Sequence, residues 1–138
     1  MTVSYEWRGS FENAEVNRLH AEAFETRLYS DDEWNWKDLL AEHSLGWVVA
    51  RDDRRLVGLV NVVWDGFTHA WIQDTMVAKA DRNRGIGTQM IEIVRSECQR
   101  SGCEWLHVDF DDHLGTFYYE ACGFVPTSAG LIRLESTT

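Results

Sequence analysis

The stretch "ADRNRGIGTQM", Ala80 to Met90, sets two arginines against a Gly-x-Gly and runs straight into a helical pattern. Free backbone N–H groups at a helix N-terminus attract anions, and glycine lets a phosphate approach the main chain closely. Arg82, Arg84 and the nearby Lys79 add charge-assisted donors. The segment therefore reads as a phosphate cradle; taken alone, it leaves open a glycine-bearing loop with solvated arginines. Two common phosphate motifs fail. A Walker loop ends in Gly-Lys-Ser/Thr, whereas Gly87 precedes Thr88-Gln89, and a Rossmann fingerprint needs a third glycine where Met90 stands. Neither ATP nor a nicotinamide dinucleotide is supported.

Outward from this junction the hydrophobic period sets the elements. On its N-terminal side "HAWIQDTMVA" reads as a strand, preceded by a hairpin of "GWVVAR" and "RLVGLVNVVWDG" around the turn-like "RDDRR". On its C-terminal side Ile86, Met90, Ile93 and Val94 mark one helical face, with Gly102 placed to end that helix. "CEWLHVDF" then predicts a strand, "DHLGTFYYEAC" a short helix and "FVPTSAGLIRL" a closing strand pair. Towards the N-terminus, "VSYEWR" alternates like a strand. Ser10 is positioned to cap a helix with apolar positions Val16, Leu19, Ala23 and Phe24, and "SDDEWNWKDLLAEH" predicts a second helix from about Asp31 to His43. The order is β-α-α-β-β-β-α-β-α-β-β, a mixed α/β fold whose central, mostly antiparallel sheet is flanked by helices.

The 138 residues fit one domain over residues 1–138, with no repeat or linker-like stretch. A formal net charge of −10 repels nucleic acid and anionic membranes, so neither is expected as a partner, and it favours cations such as protonated amines. No apolar run approaches the roughly 18 residues of a membrane span, and "MTVSYEWRGS" lacks a signal-peptide core. The expectation is a cytoplasmic protein. Three cysteines without a paired spacing read as reduced thiols.

Arg82-x-x-Gly85-x-Gly87, five residues beyond Val77, resembles the pyrophosphate loop of the GNAT superfamily of acetyl-CoA-dependent N-acetyltransferases. Downstream, "FYYEACGF" is similar to that family's Tyr-x-x-x-Gly-Phe signature, with Tyr119, Gly123 and Phe124 in place. Together the two motifs span Trp71 to Phe124. The resemblance implies acetyl transfer from acetyl-CoA to an amine in a ternary complex. It implies that backbone groups of Met76 and Val77 pair with the cofactor, and that one N–H there polarises the thioester carbonyl. The amides of Arg82, Asn83, Arg84, Gly85, Ile86, Gly87 and Thr88 would hold the pyrophosphate. Tyr119 would serve as general acid, since a phenol with a pKa near ~10 is protonated at neutral pH.

The base is less direct. An alkyl ammonium with a pKa near ~10.4 is only about 0.04% neutral at pH 7, which costs roughly 4–5 kcal/mol. Many relatives carry Glu-Asp four and three residues before the strand valine; here Gln73-Asp74 stands there. Glutamine cannot take a proton, which leaves Asp74 as the candidate base, with a structural or anchoring role as its alternative. Asp112 replaces an asparagine common in relatives, and with Asp109 and Asp111 it makes an acidic patch that reads either as a solvated strand end or as a mouth suited to a cationic acceptor. Neither His107 nor His113 has metal-ligand spacing, so no metal is expected. Trp34 and Trp36 lie on the second helix, where the family places acceptor-binding residues, but they share no helical face, so at most one is expected to face the site and core packing is the alternative for either. Dimers are common among relatives, so a homodimer is an open expectation. A second class of function also stands: a module that binds acetyl-CoA without turnover, for which the loss of Glu at position 73 is the argument.

Overall fold

The computed structural model describes residues 2–135. Five strands, β1 (Val3–Trp7), β2 (Ser44–Asp52), β3 (Arg55–Trp64), β4 (His69–Val77) and β5 (Trp105–His107), form one sheet in the order β1-β2-β3-β4-β5. Neighbours are antiparallel up to β4, whereas β5 runs parallel to β4. A parallel neighbour needs a crossover. Helix α3 (Ile86–Arg100) supplies it on one face, while α1 (Asn13–Phe24) and α2 (Trp36–His43) cover the other.

The alternation of the central strands divides the core between those faces. Val48, Ala50, Val60 and Val62 pack with Ile86, Met90, Ile91 and Val94 of α3. Val49, Leu59 and Met76 point the other way, onto Val16, Leu19, Trp36 and Leu40 of the first two helices. Both faces of β3 are thus covered, which explains why its sequence is apolar almost without interruption. Gly58 permits close packing of α3: a Cβ there would lie 3.0 Å from the Met90 sulfur and 3.1 Å from Ile86. The first turn of α3 therefore seats directly on the sheet.

Several expectations shift in detail. Ser10 does not cap α1. That role falls to Glu12, whose backbone N–H donates to the Glu15 carboxylate at 2.9 Å. Helix α2 starts at Trp36 rather than Asp31, because the Asn35 side chain accepts from the Asp38 N–H at 3.1 Å and sets the N-cap there. Ser30 instead closes an isolated turn with Glu33. The helix expected after β5 is a 3₁₀ turn, Asp112–Leu114, followed by a π-helical turn, Thr116–Ala121, in which the Cys122 N–H reaches the Phe117 carbonyl at 2.9 Å. The closing strand pair is absent from the described residues. Val125, Leu131, Ile132 and Leu134 are 79–88% exposed. With only three paired residues, β5 offers little edge to extend, and Pro126 lacks an N–H for a ladder.

The three cysteines are free thiols; Cys98 and Cys122 are buried and Cys103 half-buried. Burial pushes the Cys98 thiol up to about 12 and that of Cys122 up to about 11. Among the described residues no helix is long and apolar enough to cross a membrane.

Replacing Gly58 by Val, despite the better strand propensity of valine, should lift α3 off the sheet. Overpacking of this kind is expected to cost about 1–3 kcal/mol, measured by denaturant titration of the variant against the parent.

Candidate active site

The ladder between β4 and β5 stops after three pairs: His69 with Trp105, Ala70 with Leu106 and Trp71 with His107. Beyond them the strands part. The outer edge of β4 from Ile72 to Val77 has no strand partner among the described residues. Between Ile72–Thr75 and Val108–Asp111 lies a cavity of about 280 Å³, whose remaining walls are Phe24, Leu114 and Tyr118.

A β-bulge coincides with the parting. The β3–β4 register passes from Val60–Thr75 to Asn61–Gln73 and leaves Asp74 as the extra residue, at φ 34°. Bulges bend a strand and redirect side chains. The carboxylate of Asp74 accepts a long bond from Asn61 Nδ2 at 3.4 Å, while Asn61 Oδ1 accepts from the Ser44 hydroxyl at 2.5 Å. Burial pushes the Asp74 carboxyl above the ordinary aspartate range, against the Asn61 hydrogen bond and the charge of His20.

The Gly-rich junction follows the end of β4. A 3₁₀ turn, Lys79–Asp81, leads to Asn83 at φ 66° and Gly85 at φ 78°, the N-cap of α3. The left-handed backbone at Gly85 suits glycine. No side chain caps α3, and its first turn carries no acid. Glu15 and Asp38 sit in the corresponding turns of α1 and α2. The amides of Ile86, Gly87 and Thr88 therefore lack an intrahelical or capping partner, on the same end of the sheet as the open edge of β4.

The charges around this loop divide between two tasks. Asp81 is buried and bonded by Arg55 at 2.6 and 3.0 Å and by Arg84 at 2.6 Å. Arg84 also donates to Asp52 at 3.1 Å. This network ties the β2–β3 turn to the loop, so the guanidinium of Arg84 acts as a strut rather than as the free phosphate donor expected of it. Lys79 pairs with Glu25 at 3.0 Å. Arg82 is exposed and makes one long bond, to the Ala23 carbonyl at 3.4 Å, with no ion pair among the described residues.

The other expected residues are dispersed around the cavity. Met76 is buried and Val77 pairs with Gly58, so their contribution to the open edge is main chain. Asp109 and Asp111 line the cavity; Asp112 lies in the turn beyond it. Tyr119 is 40% exposed and meets Phe110 edge-on at 5.1 Å, whereas its neighbour Tyr118 is buried and lines the cavity. Trp36 is wholly buried, its Nε1–H bonded to Asn17 Oδ1 at 2.8 Å, which assigns it to the core. Trp34, outside the helix, stacks on Trp36 at 4.7 Å and 10°, an arrangement two residues of one helix could not adopt.

Sequence reasoning missed His20. It is buried on α1 among Phe24 (5.0 Å), Tyr29 (6.0 Å), Trp34 (4.5 Å) and Trp36 (5.5 Å). The signal was its place between Leu19 and Ala23 on the apolar face of that helix. Among the described residues no three His, Cys, Asp or Glu side chains are grouped to hold a metal.

Residues 10–124 match the model of the Acetyltransferase (GNAT) family, and the chain belongs to that family. No curated protein sequence matches it. Solved structures share the fold at low identity. A probable acetyltransferase from meticillin-resistant Staphylococcus aureus is 19% identical, with a TM-score of 0.80 over 98% of this chain and 100% of that one. The aminoglycoside acetyltransferase AAC(6')-Iy, in complex with a CoA-containing bisubstrate analogue, is 16% identical, with a TM-score of 0.77 over 99% of both chains. Glucosamine-6-phosphate N-acetyltransferase from Arabidopsis thaliana is 16% identical, with a TM-score of 0.75 over 96% of this chain and 99% of that one.

Replacing Asp81 by Asn should free Arg55 and Arg84 and lower Tm at neutral pH by about 5 °C. Arg55 above all, with Arg84, holds the Asp81 carboxyl below the usual carboxylate range. Its stabilisation is therefore complete above the unfolded value of ~3.9 and lost as pH falls through the lower folded value. Thermal melts down the pH scale should show the gap between parent and variant closing below about pH 4.

Proposed function

We propose that the protein transfers the acetyl group of acetyl-CoA to a primary amine of a small, cationic acceptor by direct attack in a ternary complex. The observation that carries this reading is the continuity of two open main-chain surfaces. The unpaired edge of β4 at Gln73–Val77 leads directly to the uncapped N-terminus of α3. An extended thiol arm could pair with the first while a pyrophosphate occupies the second, so these residues fit the cofactor.

Bound acetyl-CoA would supply an activated thioester. The amides from Arg82 to Thr88 would hold the pyrophosphate, with the exposed guanidinium of Arg82 beside them. A backbone N–H at Met76 or Val77 donates to the thioester carbonyl oxygen as negative charge builds there. Asp74, half-buried at the cavity wall, takes the proton that the acceptor ammonium must lose. Asp109 supplies negative charge at the mouth, and Trp34 an aromatic face towards the acceptor side. Support for a cationic acceptor comes from the net charge of −10 and from the likeness to aminoglycoside and amino-sugar acetyltransferases.

Tyr119 would give its phenolic proton to the thiolate as the C–S bond breaks, and the second proton that the attacking nitrogen sheds on becoming an amide would restore the phenol. A second reading assigns that step to Tyr118, because its ring, not that of Tyr119, lines the cavity. Burial pushes the Tyr118 phenol up, which keeps it protonated throughout the neutral range. The alternative of a non-catalytic acetyl-CoA-binding module predicts cofactor binding with no thiol released for any amine.

An acceptor screen with thiol-release detection should find turnover with polyamines, aminoglycosides or amino sugars; binding of acetyl-CoA without turnover would favour the module. Tyr119→Phe should lower kcat about 100-fold with unchanged acetyl-CoA affinity by calorimetry. If Tyr118→Phe shows that loss and Tyr119→Phe does not, the two tyrosines exchange roles. Because Asp74 must be ionised to accept a proton and its carboxyl is raised, the acid limb of kcat/KM should lie above ~3.9. The Asp74→Asn variant should lose activity over the whole range.

A further inference from the structure

A second cavity, of about 380 Å³, lies between α1, the β2–β3 turn and the end of β4. It is larger than the cavity at the parting of β4 and β5, and the mechanism above does not use it. Three arginines, Arg18, Arg54 and Arg55, stand in its walls beside two acids, Glu15 and Glu22. The chain has 13 Lys and Arg against 23 Asp and Glu, so three guanidiniums around one hollow are out of proportion.

Most of the other charges here are already engaged. Glu15 takes both bonds of Arg51, at 2.8 and 2.9 Å. Glu22 stands at the i,i+4 spacing from Arg18, where an ion pair is ordinary. Its carboxylate nevertheless turns to the Lys79 backbone N–H, which donates to it at 2.7 Å. Arg55 is spent on Asp81, at 2.6 and 3.0 Å. Arg18 and Arg54 are left over. Both are exposed, and neither side chain makes a hydrogen bond or ion pair among the described residues. The cavity also adjoins the Gly-rich junction. Ala78, in its wall, leads straight into the Lys79–Asp81 turn. Asp81 is bonded by Arg55 from the cavity and by Arg84 from the junction, so a single carboxylate stands between the two.

We propose that this cavity binds a phosphate group, held by the guanidiniums of Arg18 and Arg54. A planar guanidinium offers parallel N–H donors that match two oxygens of one phosphate, which a halide or a lone hydroxyl cannot reproduce. A phosphate dianion balances two guanidiniums, whereas a carboxylate monoanion leaves one unmatched. The remaining charge of Glu22 opposes any anion, which favours an occupant that both forks grip. Two sources share this chemistry. The group can arrive on an independent ligand, as free phosphate or a phosphate ester. It can also arrive on coenzyme A, which carries a 3′-phosphate monoester besides the pyrophosphate assigned to the α3 amides. The second source rests on the acetyl-CoA reading; the first does not.

The double variant Arg18→Gln, Arg54→Gln tests the site. Both side chains are exposed and bond no other group, so the variant should keep the wild-type Tm. One measurement titrates inorganic phosphate into both proteins and follows the arginine Nε–H signals by NMR, with chloride at matched ionic strength as control. The other compares the affinities of CoA and 3′-dephospho-CoA by calorimetry. If the cofactor is the source, wild type should bind CoA about tenfold or more tightly than dephospho-CoA, and the double variant should bind the two alike. If the source is an independent phosphate, inorganic phosphate should shift the Arg18 and Arg54 signals saturably where chloride does not, with the same CoA preference in both proteins. Phosphate acting no differently from chloride, together with a variant that keeps the wild-type ratio of CoA to dephospho-CoA affinity, overturns the proposal. A wild-type protein that binds neither form of the cofactor would instead remove the acetyl-CoA reading, and the phosphate titration would still decide the site.

Discussion

The parting of β4 from β5 after three residue pairs is the constraint on which the site depends. A sheet normally satisfies each strand edge with a neighbour, and an unpaired stretch in its interior would be costly if buried. Here the unpaired groups face a cavity instead, and a ligand with its own amides can satisfy them. The bulge at Asp74 contributes to the parting, because an extra residue bends the strand and disturbs the alternation. One irregularity therefore opens the groove and places a carboxylate in its wall.

The second requirement is that the anion end of the groove stay fixed relative to the sheet. Gly58 lets α3 sit close to β3, and the Asp52–Arg55–Asp81–Arg84 network clamps the loop to the hairpin turn. Charge that looks in the sequence like a phosphate clamp is thus partly consumed in holding the loop's shape. In the proposed function an anion would be held mainly by backbone dipoles, which are already oriented, with the Arg82 guanidinium beside them. This division suits a protein of strongly negative net charge. A preformed ring of free guanidiniums would attract the protein's own carboxylates before any ligand.

Much of this was legible in the sequence, for identifiable reasons. The hairpin, β4 and α3 follow from period and punctuation: Asp53–Arg54 between two apolar runs, Gly102 at the end of α3. The Gly85-x-Gly87 junction and Tyr119-x-x-x-Gly123-Phe124 pointed to the family because each motif has fixed local spacing. What could not be read depended on contacts between distant segments. The bulge is a property of the β3–β4 register, not of "IQDTM" alone. Arg84 looks identical in sequence whether it meets a phosphate or Asp81. Trp34 and Trp36 appeared to occupy one helix because Ser30 and Asp31 imitate an N-cap; Asn35 wins because its side chain reaches the Asp38 N–H.

The buried thiols have a practical consequence. Acetyl transfer liberates a small thiol, and the common way to follow it is a reagent that reacts with thiolates. A thiol pushed up to about 12, as in Cys98, or about 11, as in Cys122, presents almost no thiolate at neutral pH, and both are shielded as well. Only the half-buried Cys103 has partial access, and burial raises it too. Cys98 and Cys122 are therefore expected to react slowly with such reagents while the protein is folded, which leaves Cys103 as the main source of background in a colorimetric assay. Slow growth of protein-derived signal in such an assay would report unfolding, so the same cuvette can monitor catalysis and integrity of the fold.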